Sequence, residues 1–311
     1  MKMRTILLTF LVLLTFLSSN VLAQGYEFRV LANKGENQVK KAGASQAETL
    51  KTGATLAKGD QIIAANGAYI GLVHSSGKTT EIRTPGTVKI DDLSAKIAAT
   101  TSTTASRYTS YIAAKMNESD GGGNYRSNMK ATGAVERATN TSAINVMLPN
   151  SVDFYGDNAI VRWKAIGEGD ATYIVTVKNI FDEEVAKIET DQTAYELDFT
   201  NPKLAQERLV ILNVKVKGDE DLKSSDYGIK RLSNTESAKV NENIKGLKSE
   251  VNEETPLNKI IYASFFEENN LVLDALTKYE EAIEMSPEVQ DFQDMYQSFL
   301  VKNGLAAATA N

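Results

Sequence analysis

The sequence predicts a multi-domain β + α protein, with two small all-β domains followed by an all-α bundle. Residues 25–92 and 144–233 carry short runs in which apolar residues alternate with polar ones between turn residues, a pattern typical of antiparallel strands. From residue 234 the apolar residues recur at steps of three and four, which indicates helices. A chain of 311 residues also favours two or three domains over one.

The first 23 residues have the composition of a secretory signal peptide. Lys2 and Arg4 precede an almost wholly apolar run of about 12 residues, which is shorter than the roughly 20 residues that span a bilayer. Small residues then lead to Ala23, after which we expect cleavage. We therefore expect an exported protein, periplasmic or extracellular, whose mature chain has no transmembrane span. A retained anchor helix is the alternative.

The composition excludes several classes of site. The chain has no cysteine, which removes disulfides, thiolate metal sites and cysteine nucleophiles. Loss of Lys2 and Arg4 with the signal peptide takes the 34 basic residues to 32, against 40 acidic ones, for a net charge of −8. Proteins that bind nucleic acid present a basic face, so this balance argues against a nucleic acid partner.

Residues 24–92 are predicted to form the first β domain. Asn66-Gly67 and Ser76-Gly77 are hairpin signals because alternating apolar residues flank both turns. The stretch from the Gly59-Asp60 turn to the return strand at Ile82 is similar to a FecR-like domain. That resemblance implies a component of an envelope signalling system. FecR-like regulators are membrane-anchored, whereas this sequence has no apolar span after its signal peptide.

A helix and a linker are predicted between the two β domains. In residues 93–116 the apolar residues recur at three- to four-residue steps, at Leu93, Ile97, Tyr108, Tyr111, Ile112 and Met116. We expect this amphipathic helix to pack on its own β domain, with a partner protein as the alternative. Residues 117–143 are polar and rich in glycine, without apolar periodicity, which predicts a flexible linker.

Residues 144–233 are predicted to form the second β domain. About seven strand-like runs, with Gly, Asp or Pro in their connections, favour a β-sandwich. Trp163, the strand that contains Tyr173 and the Tyr195–Leu197 strand resemble a fibronectin type III module, which implies an immunoglobulin-like (Ig-like) sandwich. Trp163 is the only tryptophan, and we expect it to anchor the core rather than to form an exposed ligand platform.

Residues 234–305 are predicted to form a helical domain, followed by a tail at 306–311. Its apolar residues follow helical spacing in four segments. Pro256 suits the first turn of the second helix. The third helix is expected to stop before Pro287, where the fourth begins and runs to Gly304.

Two of these helices resemble a tetratricopeptide repeat. The small, aromatic, small, aromatic, small, proline order of that repeat falls on Ala263, Phe266, Ala275, Tyr279, Ala282 and Pro287. Small residues let paired helices approach, and aromatic residues fill the space between them. Lys259 occupies the place of an expected large aromatic residue and one repeat alone matches, so the resemblance implies helical packing more than a peptide-binding groove.

No set of residues in the sequence points to catalysis. His74 is the only histidine, and we expect it to be exposed in a turn. The sequence contains no G-x-S-x-G nucleophile elbow, so a catalytic triad is not predicted. One histidine without cysteine does not predict a zinc site either. The acidic cluster Asp219–Asp221 lacks the order of an EF-hand loop. Adjacent pairs such as Glu280-Glu281 and Glu183-Glu184 are expected on solvated surfaces. We predict no catalytic residue, cofactor or metal ligand.

Together these features predict a non-enzymatic interaction or scaffold protein of the bacterial envelope. Its expected partner is an envelope protein or a cell-wall polymer. Two alternatives stay open. The FecR-like resemblance suits a signalling component, and two carboxylates brought within roughly 5–10 Å of each other could form a hydrolase site.

Overall fold

The computed structural model of the chain describes residues 25–97, 107–112, 143–166, 171–252 and 254–305. The predicted signal peptide, the tail and all of the linker except Ala143 lie outside the described residues. The described part mixes β and α structure, with mainly antiparallel sheets up to Arg231 and helices from Asn234, as the sequence predicts. None of the described helices has the length and apolar character that crossing a membrane requires.

Short strands between turns build the first β unit, residues 25–97. Its described strands are β1 (Phe28–Lys34), β2 (Gln38–Lys40), β3 (Glu48–Thr49), β4 (Thr55–Leu56), β5 (Gln61–Ala64), β6 (Tyr69–His74), β7 (Thr79–Ile82) and β8 (Gly86–Lys89). They form two sheets with the strand orders β4–β1–β6–β7 and β3–β2–β5–β8, and their pairings are antiparallel. Both sheets contribute fully buried side chains, such as Phe28, Ile62 and Ile70, to one core.

The two predicted hairpin turns of this unit have different outcomes. Ser76-Gly77 joins β6 to β7, which pair antiparallel, so that hairpin is confirmed. Asn66-Gly67 joins β5 to β6, which lie in different sheets, so the hairpin predicted there is wrong. Gly67 has the positive φ, 67°, that a tight turn requires. Alternation of apolar residues fixes which face of a strand is buried, and not which strand is its neighbour.

The single helix predicted at 93–116 is wrong. Helix α1 (Ile90–Lys96) begins earlier than expected and ends before Ile97, where the backbone is extended at φ −91° and ψ 112°. Leu93 and Ile97 pack against the core of the first β unit, so this part of the segment lies on its own domain as expected.

The later part of the same segment packs elsewhere. Residues 107–112 are helical, and Tyr108 and Ile112 are buried in a second core that the helical domain shares. The ring of Tyr108 lies edge-on to Phe265, with 5.5 Å between ring centres. This part therefore packs against the helices rather than on the first β unit, while Met116 lies outside the described residues.

The second β unit comprises residues 143–166 and 171–233. Its described elements are β9 (Ser151–Phe154), β10 (Asn158–Arg162), β11 (Tyr173–Lys178), β12 (Glu184–Thr190), β13 (Ala194–Asp198), α2 (Pro202–Ala205), β14 (Leu209–Val216) and β15 (Tyr227–Arg231). Each strand-like run predicted from the sequence contains one of these strands. One sheet has the order β12–β11–β14–β15–β9, in which β9 and β15 pair parallel, and β10 pairs with β13 in a second sheet.

Trp163 lies in the core of this unit, directly after β10. Its side chain is 1% exposed and meets the ring of Tyr173 edge-on, with 5.5 Å between ring centres. The prediction that it anchors the core is therefore confirmed.

Helices form the rest of the described chain. They are α3 (Asn234–Glu250), α4 (Pro256–Glu268), α5 (Val272–Met285) and α6 (Gln290–Lys302). Ser233 and Glu236 form a capping box at α3, and Thr255 caps α4 with Pro256 in its first turn. The predicted start of the last helix at Pro287 is wrong, because the chain turns there before α6 begins.

The helices pack on both β units. Helix α4 is buried on all sides, which its apolar sequence explains. Its core continues into the second β unit and to outer side chains of the first, including Leu31 and Tyr69. Gly71 of β6 permits this contact, because a Cβ there would lie 3.2 Å from Cδ2 of Leu257. The helices therefore join the two β units through one continuous core.

Candidate functional site

A cleft of about 840 Å³ opens where the second β unit meets the helices. The β9–β10 turn and the end of β13 form one wall, and α3, α4 and α5 form the other. Its lining is mostly polar and consists of Tyr155, Gly156, Asp157, Asn158, Asp198, Thr200, Ser237, Asn241, Ile244, Lys248, Lys259, Phe266, Asp274, Thr277, Lys278 and Glu281. The cleft has room for a ligand and combines aromatic with polar side chains, and so it is the candidate binding site.

Tyr155 lines this cleft and contacts two of its helices. Its hydroxyl donates a 2.6 Å hydrogen bond to Oδ1 of Asn241 on α3, and its ring centre lies 6.0 Å from that of Phe266 on α4. The Lys248 ammonium lies 5.9 Å from the centre of the Tyr155 ring. The cleft therefore offers a fixed, half-buried aromatic surface beside an exposed cation.

Asp274 fixes the β9–β10 turn to α5. Its carboxylate accepts hydrogen bonds from the backbone amides of Tyr155 at 3.0 Å and Gly156 at 2.7 Å. The side chain is 3% exposed. Burial raises the pKa of Asp274 to about 7, against the opposing effect of the two amide hydrogen bonds. Glycine at position 156 leaves room for this approach, because a Cβ there would lie 3.1 Å from Oδ1 of Asp274.

Two further polar side chains of α5 continue this contact along β10. Thr277 accepts a 3.0 Å hydrogen bond from the amide of Ile160 and donates one to the carbonyl of Leu273. Glu280 accepts two 2.6 Å hydrogen bonds from Arg162, and the hydroxyl of Tyr296 also donates to it. Helix α5 therefore covers part of β10 and provides acceptors for the amide of Ile160 and the guanidinium of Arg162.

Two further acids of the cleft form ion pairs. Glu281 forms ion pairs with Lys259 and, at 3.1 Å, with Lys278. Asp157 lies 3.4 Å from Arg231.

Asp198, the remaining acid of the cleft, binds Thr200. It accepts hydrogen bonds from the hydroxyl and the amide of Thr200, and these hold the pKa of Asp198 below its usual value. Each carboxylate that lines the cleft is thus engaged by a cation, a hydroxyl or a backbone amide.

A second set of polar contacts fixes the helices to the first β unit. Asp291 of α6 accepts hydrogen bonds from the amide of Asn33 at 2.8 Å and from the hydroxyl of Thr52 at 3.2 Å. On α4, Asn258 accepts a 2.6 Å bond from the hydroxyl of Thr79. Glu81 of β7 accepts one from the amide of Leu257. The first β unit is therefore held in a fixed orientation as well.

The six positions selected for their repeat-like spacing serve helix packing. All but one are buried, namely Ala263, Phe266, Ala275, Tyr279 and Ala282. They lie on α4 and α5, which are joined by a turn at Asn270, and only Phe266 also lines the cleft. Pro287 is exposed in the turn before α6.

His74 lies outside the cleft, at the end of β6. It is 16% exposed, so the expectation of an exposed turn residue is wrong. Its Nδ1 lies 2.8 Å from Oγ of Ser76, and its Nε2 lies 3.5 Å from Glu27. The ring also packs edge-on against Phe28. These contacts fix the β6–β7 turn against the beginning of β1.

The acidic clusters have structural roles. Asp219 accepts hydrogen bonds from the amides of Asp221 and Leu222 and so closes a turn. Within the ranges described, no three or more His, Asp and Glu side chains are grouped so that they could hold a metal ion.

Sequence patterns did not predict that three polar side chains of α5, at or beside the cleft, are buried. Glu280 was expected on a solvated surface but is 6% exposed, because Arg162 reaches it from β10. Asp274 and Thr277 were not singled out. Polar residues three apart on a helix normally indicate a solvated face, so spacing alone could not have identified them.

Comparison of the sequence with protein-family models found no matching family, and a search among curated proteins found no similar sequence.

Proposed function

We propose that the chain is an exported, non-enzymatic interaction or scaffold protein of the bacterial envelope. In this proposal the cleft binds a polar partner, such as a cell-wall polymer or an extended segment of an envelope protein. The observation that carries the proposal is that every carboxylate lining the cleft is already engaged, by Arg231, Thr200, two lysines or two backbone amides. Such groups present a fixed pattern of hydrogen-bond donors and acceptors, which suits the binding of a polar partner.

A hydrolytic site would need carboxyl groups free to exchange protons with a substrate. Asp274 has the raised pKa of a general acid, and this one observation favours the hydrolase alternative. Both of its oxygens, however, accept backbone amides at the base of the wall. Asp274 therefore supports the wall of the cleft, and we favour binding over catalysis.

The order of the strands supports an Ig-like or fibronectin-like second β unit. Within its described strands, the second and fifth (β10 and β13) pair together, and the third, sixth and seventh (β11, β14 and β15) are neighbours. Ig-type sandwiches share that arrangement. The buried small and aromatic residues between α4 and α5 likewise support tetratricopeptide-like packing. The FecR-like assignment of the first β unit rests on its sequence resemblance, and a signalling role remains the alternative that it implies.

Crosslinked envelope fractions provide the test. The tagged mature chain is expected to recover a reproducible protein or wall polymer. Lys248→Glu, which reverses the exposed charge beside Tyr155, should reduce recovery. Lys239→Glu makes the same change at an exposed position of α3 that does not line the cleft, and should leave recovery unchanged.

The possible results separate the parts of the proposal. Recovery of no reproducible partner by the wild type refutes the scaffold function. Equal recovery by both lysine variants refutes the cleft as the binding surface. Hydrolysis of a wall glycan by the wild type that is lost in Asp274→Asn would favour the enzyme instead. An exported chain that begins at Gln24 is expected by mass spectrometry, and retention of Met1 would contradict export with cleavage.

A further inference from the structure

The turn between β11 and β12 presents two adjacent apolar side chains to solvent. Ile180 is 59% exposed and Phe181 is 75% exposed. Among the described residues these are the two most exposed large hydrophobic side chains, and the others, Met285 and Tyr26, are less exposed and lie on separate elements. Single exposed apolar residues are ordinary in folded proteins. An adjacent pair at one turn is a concentrated apolar surface, and this turn leads into β12, which forms the edge of its sheet.

Asn179 holds this turn in one conformation. Its side chain is buried, and its Oδ1 accepts hydrogen bonds from the amides of Phe181 at 3.0 Å and Glu183 at 3.1 Å. Its Nδ2 donates to the carboxylate of Glu183 at 2.8 Å. Asp182 takes the left-handed conformation at φ 65°, and its amide donates to the carbonyl of Asn179. The two apolar side chains therefore project from a turn that is already ordered.

Acidic side chains surround the apolar pair. Asp182, Glu183 and Glu184 follow it directly, while Lys178 is the one cation in the same segment. Lys178 pairs with Asp182 at 2.7 Å and Lys187 with Glu184 at 3.8 Å. The carboxylates of Glu183 and Glu207, which both accept from Asn179, leave an excess of negative charge beside the turn. An anionic lipid surface would repel this rim. A protein pocket with cationic side chains around its mouth would complement both the apolar pair and its rim.

We propose that Ile180 and Phe181 form a docking tip that inserts into an apolar, basic-rimmed pocket of a protein partner. This inference rests on the proposed scaffold function and gives it a second surface, separate from the cleft. Aromatic side chains that enter a desolvated pocket dominate the affinity of protein interfaces. Because Asn179 orders the turn before binding, little conformational entropy is lost when the tip docks.

Photo-crosslinking tests where the tip binds. A photoreactive phenylalanine analogue replaces Phe181 in the full-length chain, exported in its native envelope, and the same analogue replaces Met285 as the control. We expect a defined protein adduct from position 181 that position 285 does not give. The crosslinked protein is then purified and titrated with the unmodified chain. Absence of a protein adduct, or adducts with lipid alone, would overturn the proposal.

Affinity measurements with the purified partner complete the test. Phe181→Ser should weaken binding about 30-fold or more, and Met285→Ser should leave it within about twofold. Asn179→Ala keeps both apolar side chains and should weaken binding by a smaller factor, since the turn then loses order. Both serine substitutions are at exposed positions, so folding is preserved and is checked by circular dichroism. Equal binding by the wild type and Phe181→Ser refutes the docking tip.

The same experiments separate this inference from the scaffold function. If crosslinked envelope fractions yield a partner whose recovery is unchanged by Phe181→Ser, the scaffold function stands and the docking tip is refuted. If neither route yields a partner, both are refuted.

Discussion

Replacement of Asp274 by asparagine should change how the stability of the protein depends on pH. Burial raises the pKa of Asp274 to about 7 in the folded chain, from a reference value of 3.8. Between these two values the folded chain keeps a proton that the unfolded chain has released. The contribution of Asp274 to the unfolding free energy is therefore complete below about pH 4 and decreases as the pH rises towards 7. A shift of roughly 3 pKa units corresponds to about 4 kcal/mol of unfolding free energy.

Asparagine has nearly the same size but does not titrate. Asparagine provides one acceptor oxygen for two amide donors. Asp274→Asn should therefore lower the unfolding free energy by about 1–3 kcal/mol at pH 4. As the pH rises to 8, the wild type loses stability through this group and the variant does not. The difference between the two proteins should therefore shift towards the variant by about 4 kcal/mol.

Urea denaturation at several pH values, followed by circular dichroism, measures this difference. Curves of unfolding free energy against pH that run parallel for the two proteins would refute the reasoning. Parallel curves would mean that the hydrogen bonds from the amides of Tyr155 and Gly156 fully offset the effect of burial on the pKa of Asp274.

Three further substitutions probe the contacts around the cleft and the core. Gly156→Ala should lower the unfolding free energy by about 1–3 kcal/mol, because its Cβ would lie 3.1 Å from the Asp274 carboxylate, whereas Gly25→Ala has open space and should have little effect in the same denaturation assay. Glu280→Gln should lower the unfolding free energy by about 3 kcal/mol, because it leaves the partly buried guanidinium of Arg162 without its charge partner. An unchanged melting temperature would contradict this. Trp163→Phe should cost about 1–3 kcal/mol through lost volume alone, because its Nε1 has no hydrogen-bond partner among the described residues; a much larger loss in calorimetry would reveal a polar contact.

The elements could be predicted from sequence because each follows a local rule. In β11, Tyr173, Val175 and Val177 are buried alternately, so a period of two identifies the strand. In α3, Ile244 and Leu247 are buried at helical spacing. The pattern failed where the neighbour of an element decides the outcome. The strands on either side of Asn66-Gly67 have ordinary alternation but belong to different sheets.

The candidate site was less predictable because its contacts are distant in the chain. Asp274, Thr277 and Glu280 meet their partners in the β9–β10 turn and on β10 across 117 to 119 residues. In the sequence they are polar residues on one side of a helix, which normally indicates solvent. Their burial depends on a strand edge that needs acceptors, and only the tertiary arrangement provides it.

The buried polar contacts also determine how the cleft can bind. A ligand in the cleft touches both the β9–β10 turn and helices α3 to α5, so its affinity depends on how well those elements keep their relative positions. Moving α5 away from β10 would break two carboxylate–amide hydrogen bonds at Asp274, the bond from Ile160 to Thr277 and the paired contact of Glu280 with Arg162. Each buried donor or acceptor left without its partner costs about 1–3 kcal/mol. Opening is therefore rare, and the cleft keeps its shape before a ligand arrives. A preformed site loses little conformational entropy on binding. In the proposed binding function, specificity would therefore come from the fixed positions of Tyr155 and the charges around it.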